Sequence, residues 1–164
     1  VDAAIARTLA YSVTWPDGPE APAVASVTLG YTHPITTPDP GCDPSPRYGT
    51  AYADMIARCY FNYVRVFAPA GSKLLQAEGV DGESIISRRG ERGTHEFAGF
   101  FVLPPGGVQR VTFTYRLPAA ITPENYRLLL QRQSGTLPLP LSLDIEGVTQ
   151  STTLAEGWLD WTTP

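Results

Sequence analysis

The sequence predicts an all-β fold: an antiparallel two-sheet sandwich of immunoglobulin-like kind, with one short helix and a long proline-rich loop, in a single domain over 1–164. Three observations predict it. Apolar residues alternate with polar ones along most of the chain, the period of a strand with one dry face and one wet face. The 16 prolines and 15 glycines suit many turns better than they suit helices. At 164 residues and 43% apolar, the chain can close a two-layer core without help from a metal.

The elements follow in order. Leu9, Tyr11, Val13 and Trp15 alternate with Thr8, Ala10, Ser12 and Thr14, so Trp15 belongs to a dry face. Val27, Leu29 and Tyr31 repeat the pattern after the Pro16-Asp17-Gly18 turn. From Thr32 to Tyr48 the prolines predict a long loop tied down by Cys42. Gly49 to Arg58 predicts two helical turns, with Tyr52, Met55 and Ile56 on one side. Cys59 to Ala68 (CYFNYVRVFA) and Glu96 to Leu103 (EFAGFFVL) are apolar in both parities, which predicts central strands covered on both faces, or strands beneath a loop. Between them, Pro69-Ala70-Gly71-Ser72 is a type II turn into a strand over Lys73 to Ala77, and Arg88 to His95 is a hairpin tip. Val111, Phe113, Tyr115 and Leu117 form the next strand, and Thr122-Pro123-Glu124 opens one helical turn. Tyr126, Leu128 and Leu130 alternate again, as do Leu139, Leu141, Leu143 and Ile145. Pro138 and Pro140 predict that this last strand begins at an edge.

Composition excludes several classes. The net charge of −4, with scattered arginines and only Lys73, is the wrong field for a nucleic-acid partner. No apolar run approaches 18 residues, so this domain itself makes no membrane contact. A start at Val1 with no signal-peptide pattern reads as a processed or excised piece, its anchor lying upstream. Cys42 and Cys59 are the only cysteines and suit one disulfide in an oxidising compartment. The alternative is a pair of buried free thiols, which a proline-rich loop around Cys42 disfavours. A bridge closing a loop of about 17 residues would stabilise the fold by roughly 3 kcal/mol in the chain-entropy model.

Chemistry is hard to find. Neither His33 nor His95 has a nucleophile motif or ligand spacing near it, and both read as surface residues at strand ends. Glu78, Asp81 and Glu83 in one turn, and Asp39 and Asp43 beside Cys42, read as solvated acids. A calcium site there is conceivable but lacks EF-hand spacing, so no metal and no cofactor is expected. Trp158 and Trp161 are three apart and face opposite sides of a strand; at least one could join a sugar-stacking platform. The binding candidates are therefore Trp158, Trp161, His33 and Arg65.

The stretch CYFNYVRVFAPAGSKLLQAEG is the most distinctive. Tyr60, Asn62, Tyr63, Arg65, Val66, Pro69, Gly71, Ser72 and Leu74 fit the pattern Y-x-N-Y-x-R-V-Y-x-P-x-G-S-x-L, with Phe67 where that pattern has Tyr. Further segments follow in the expected order: Phe97 to Phe101, Pro105-Gly106, Phe113-Thr114-Tyr115, and Tyr126-Arg127-Leu128 with Gln131, Gln133 and Gly135. Across roughly Tyr11 to Ile145 the chain resembles a bacterial envelope protein family of unknown function, domain-of-unknown-function family 4012. The resemblance implies a β-rich terminal domain of a longer surface protein with an N-terminal membrane helix. It implies no catalytic residues. The residues themselves need only a structural account: Asn62 would bridge backbone groups of the long loop, and Arg65 would pair with an acid across the sheet.

The expected function is a non-catalytic structural or interaction module of a bacterial cell-envelope protein, outside the cell, with other envelope proteins or surface polysaccharide as partners. A carbohydrate-binding module is the alternative. An exposed aromatic pair on one sheet face would favour the latter, and a smooth polar face would count against it.

Overall fold

A computed structural model describes residues 2–36, 41–45, 51–132, 135–155 and 157–162. Eleven strands form among them: β1 (Ala6–Thr14), β2 (Val24–Thr32), β3 (Tyr60–Pro69), β4 (Lys73–Glu78), β5 (Ile86–Arg89), β6 (Thr94–Leu103), β7 (Val108–Arg116), β8 (Arg127–Gln131), β9 (Leu139–Ile145), β10 (Val148–Leu154) and β11 (Trp158–Thr162). One layer is a six-stranded sheet in the order β10-β9-β1-β2-β7-β4. The other comprises a three-stranded sheet, β3-β6-β5, and a two-stranded ribbon, β11-β8. The single helix, α1 (Tyr52–Ile56), is shorter than the two turns expected from Gly49, whose first two residues lie outside the described ones.

The dry faces meet as the alternation requires. Leu9, Tyr11, Val13 and Trp15 from β1 and its end, Val111, Phe113 and Tyr115 from β7, and Leu141, Leu143 and Ile145 from β9 are all buried. Rings cross the interface between layers: Tyr31 lies 4.9 Å from Phe101, and Phe97 lies 5.1 Å from Tyr115. At the ribbon end, Tyr126 sits edge-on between Trp15 at 5.6 Å and Trp161 at 5.9 Å. Buried hydroxyls satisfy one another, with the Tyr126 phenol donating to Tyr11 at 2.7 Å. Burial pushes the Tyr31 phenol up to about 12, with Tyr60 beside it adding to the rise.

Two pairings differ from a uniformly antiparallel sandwich with Pro140 on an edge. β1 and β9 run parallel, in register from Leu9–Leu141 to Val13–Ile145. They are far apart in sequence, so the chain has ample length for the crossover that parallel pairing needs. β9 is not an edge strand, because β10 flanks its other side. Pro140 faces only Thr153 of β10, and the β1 ladder starts one residue later, at Leu141. The proline therefore precedes the doubly paired stretch and interrupts no ladder on the β1 side.

The turns follow their residues. Ser72 N donates to Pro69 O at 3.1 Å with Gly71 at φ 90°, the conformation a type II turn requires of glycine. Pro123–Asn125 makes one 3-10 turn, and Asn125 Oδ1 accepts from Thr122 N at 2.9 Å. Arg88 to His95 contains the β5–β6 hairpin tip, with Arg92 and Gly93 both at positive φ.

Cys42 and Cys59 are bonded, their Cα atoms 5.4 Å apart across 17 residues. Parts of the Pro34 to Tyr48 loop, Asp39 among them, lie outside the described residues, as does Gln133. Among the described residues no three His, Cys, Asp or Glu side chains gather as metal ligands. No described helix is long and apolar enough to cross a membrane.

Candidate functional site

The two outer faces of the sandwich differ chemically. That of the six-stranded sheet is paved with small polar residues. Thr8, Ala10 and Ser12 face Gly30, Thr28 and Ser26, which face Arg110, Thr112 and Thr114 in turn. Thr28 and Thr112 share a hydroxyl hydrogen bond at 3.0 Å. A Cβ at Gly30 would meet the Thr8 hydroxyl, which would have to rotate away. A shallow concavity of about 820 Å³ opens on this face, lined by Thr8, Thr28, Arg110, Ser142 and Ser151, with no stacked aromatic pair on it among the described residues.

The outer face of β3-β6-β5 is aromatic. Directly opposed residues of an antiparallel pair share a face. Phe61, Tyr63, Arg65 and Phe67 of β3 therefore line up with Val102, Phe100, Ala98 and Glu96 of β6. Phe61 is 38%, Tyr63 43% and Phe67 55% exposed. The Phe61 and Phe100 rings stack at 6.5 Å and 25°. The Arg65 guanidinium lies 5.7 Å from the Phe67 ring centroid, a cation–π arrangement. At the far end Arg88 Nε donates to Glu96 Oε2 at 2.8 Å. That bond holds the Glu96 carboxyl below the usual carboxylate range, helped by the charges of Arg88 and Arg65.

This geometry corrects the expectation that both apolar segments are covered on both faces. β6 is central and buried over Glu96 to Gly99, but Val102 is exposed. β3 is an edge strand, buried only at Tyr60, Val64 and Ala68, with the other parity open to solvent. Asn62 and Arg65 do face opposite sides. The Asn62 side chain lies near the Tyr31 phenol within the sandwich and opposes the rise in its pKa, and no hydrogen bond joins Asn62 to the long loop among the described residues. Arg65 stacks on Phe67, while the acid across the sheet, Glu96, is hydrogen-bonded by Arg88.

No family model, no curated protein and no solved structure matches this chain. The site stands on its own residues.

The remaining candidates do not converge on it. His33 is buried at 1% exposure, not on the surface. Its Nε2 lies 2.9 Å from Arg58 O, and its Nδ1 accepts from Ile35 N at 3.4 Å. Both ring nitrogens thus serve backbone groups and tie the exit of β2 to the segment leading into Cys59. Trp158 is 63% exposed on the outer side of the ribbon, whereas Trp161 packs inward against Tyr126. They face opposite sides, as their spacing requires, and form no stacking pair. Trp161 also lines a small apolar cavity of about 140 Å³ with Trp15 and Val148. His95 sits 2.9 Å from Ser87 Oγ across the β5–β6 hairpin, and no carboxylate joins them by a hydrogen bond among the described residues.

The sequence reading missed Phe61, Tyr63, Phe67, Phe100 and Val102. One signal could have found them. Arg65 shares the parity of Phe61, Tyr63 and Phe67 on β3, which oppose Val102, Phe100 and Glu96 of β6, and an arginine is almost never fully buried without a partner. That parity marks the wet face, so the aromatics on it are exposed.

Proposed function

We propose that this chain is a non-catalytic interaction module of a bacterial cell-envelope protein, an immunoglobulin-like sandwich that contacts its partner through the outer face of β3-β6-β5. One observation carries the reading: three aromatic side chains and Arg65 alternate along one face of β3, exposed, beside Phe100 and Val102 of β6. Monomeric surfaces seldom expose contiguous apolar patches without a use. Aromatic and arginine side chains are the types that dominate binding energy at interfaces. The disulfide supports an extracellular setting, since such bonds persist where thiols are oxidised.

A second reading is favoured by one specific feature. The near-parallel Phe61 and Phe100 rings could stack on sugar faces, which makes a carbohydrate-binding module for wall or surface polysaccharide the alternative. One experiment separates the two. The purified domain and a Tyr63→Ser/Phe67→Ser variant are compared for retention of envelope proteins and of a panel of wall polymers. Retention of a protein by the wild type alone supports the interaction module. Retention of a polymer by the wild type alone supports the second reading. Equal behaviour of the two proteins removes Tyr63 and Phe67 from both readings, and equal polymer retention by a Phe61→Ser variant removes the second.

A further inference from the structure

The second layer of the sandwich has a gap. Among the described residues β3 pairs only with β6 and β8 only with β11, so these two part-sheets do not join. A groove of about 500 Å³ runs between them. Tyr63 and Arg65 line one side, Gln131 and Arg132 line the other, and Leu29 and Leu139 of the six-stranded sheet lie beneath. We propose that an extended, acidic segment of a partner protein adds to the open edge of β3 as a strand and fills this gap. The inference rests on the interaction-module reading and names the partner's chemistry.

The hydrogen-bonding phase of β3 supports it. Phe100 of β6 turns its backbone away from β3: its N–H donates to Ser84 Oγ at 2.8 Å, and its C=O accepts from Asp81 N at 2.8 Å. Phe100 opposes Tyr63, so that pair is a non-hydrogen-bonded one. The backbone of Tyr63 therefore points to the open edge. By alternation, so do those of Phe61, Arg65 and Phe67. The residues whose side chains form the aromatic face are the same ones that offer unpaired N–H and C=O groups. An incoming strand would receive a regular ladder, with every second side chain beside Tyr63, Arg65 and Phe67.

The edge also lacks protection. Sheet edges are commonly blunted by shortness, charge, proline or a bulge. β5 has four residues and ends in Arg88-Arg89, and β4 carries a register shift between Leu74 and Gln76. β11 has five residues and holds Asp160. β3 has ten, in unbroken register with β6, with Arg65 its only charge and its proline in the last position.

Charge selects the occupant. The charged groups lining the groove are Arg7, Arg65, Arg132 and Asp2. Arg7 and Asp2 form an ion pair, which leaves two guanidiniums on a chain whose net charge is −4. The Arg132 Nη1 donates to Thr136 O, but its buried Nε finds no hydrogen-bond partner among the described residues, a donor that an incoming carboxylate or carbonyl would satisfy. A folded second copy does not suit the gap, because its own β6 would follow its β3 into the space of β8. A single strand does.

The test uses the whole 164-residue chain. The probe is a ten-residue peptide alternating valine with glutamate and threonine, set against the same peptide with lysine for glutamate. Amide hydrogen exchange is followed residue by residue. The acidic peptide is expected to slow exchange at Phe61, Tyr63, Arg65 and Phe67. Arg65→Glu should weaken that peptide about tenfold and turn preference toward the lysine peptide, a reversal that misfolding cannot produce. Absence of protection at those four amides with either peptide overturns the proposal. So does their protection in a dimer without peptide, which would make a second copy the occupant. Loss of partner binding in the Tyr63→Ser/Phe67→Ser variant, together with unprotected edge amides, would leave the interaction module standing and remove strand addition alone.

Discussion

Glu96 lies buried on the aromatic face, directly opposite Phe67 and within reach of two arginines. The hydrogen bond from Arg88 lowers its pKa, burial opposes that shift, and the charges of Arg88 and Arg65 add to it. A carboxyl depressed on folding contributes stability above its unfolded pKa. The contribution is lost as pH falls through the depressed folded value. For Glu96 the loss begins below about 4.5, the ordinary value. Denaturant midpoints taken across the acid range should therefore fall for the wild type, and a Glu96→Gln variant should show a shallower fall. Identical acid limbs in the two proteins would mean that the carboxylate–guanidinium contact contributes nothing. Arg88 is itself largely exposed, so the difference belongs at the modest end expected of solvent-screened pairs.

The β9–β10 hairpin sets local preference against a tertiary bond. Glu146 and Gly147 form its tip, at φ 52° and 81°, the two-residue geometry that asparagine-glycine suits best. On turn chemistry alone Glu146→Asn should stabilise. But Glu146 Oε2 accepts from the backbone N–H of buried Trp15 at 2.9 Å, which asparagine is too short to reproduce. Losing a hydrogen bond to a charged group costs about 1.5–3 kcal/mol, more than a turn preference of a few tenths can return. Glu146→Asn is thus expected to lower unfolding free energy by about 1 kcal/mol or more, measured by urea denaturation; a gain would show that the Trp15 contact is dispensable. The same competition explains what could be read in advance. β1, β7 and β9 were legible because each has one wet and one dry parity, and their inward residues are those the alternation names. β3 was not, because aromatic residues occupy its wet parity and apolar content alone cannot distinguish an exposed patch from a covered one. His33 was misplaced because its burial depends on Arg58 O and Ile35 N, partners fixed by a loop with no periodicity. The open edge of β3 was illegible too. Which strand ends a sheet depends on pairing order, and alternation carries no information about neighbours.

The core of the whole molecule carries a polar thread. Tyr11, Tyr115 and Tyr126 come from β1, β7 and the entry to β8, so their hydroxyls join both layers in the interior. Tyr126 donates to Tyr11, and the Tyr115 phenol lies close enough to Tyr11 to influence its pKa. Burial is the leading cause that raises all three above the ordinary value of 10.0. A tyrosine raised on folding leaves stability intact below its unfolded pKa and withdraws it as pH climbs, because only the unfolded chain releases the proton. Three such groups together give a slope of about 4 kcal/mol per pH unit above pH 10. Set against a typical stability of about 5–15 kcal/mol, that slope is enough to unfold the domain within a few pH units. The three buried phenols should then ionise as the sheets are lost, not before. Ultraviolet tyrosinate absorbance from these groups and the β signal in circular dichroism should change in one coincident transition. Tyr115→Phe should lessen the slope by about 1.4 kcal/mol per pH unit, the share of one linked proton, while Tyr31 and Tyr60, also raised by burial, keep theirs. Ionisation of the buried phenols with the β signal still intact would show that water reaches the thread in the folded state, and that the two layers are not closed around it.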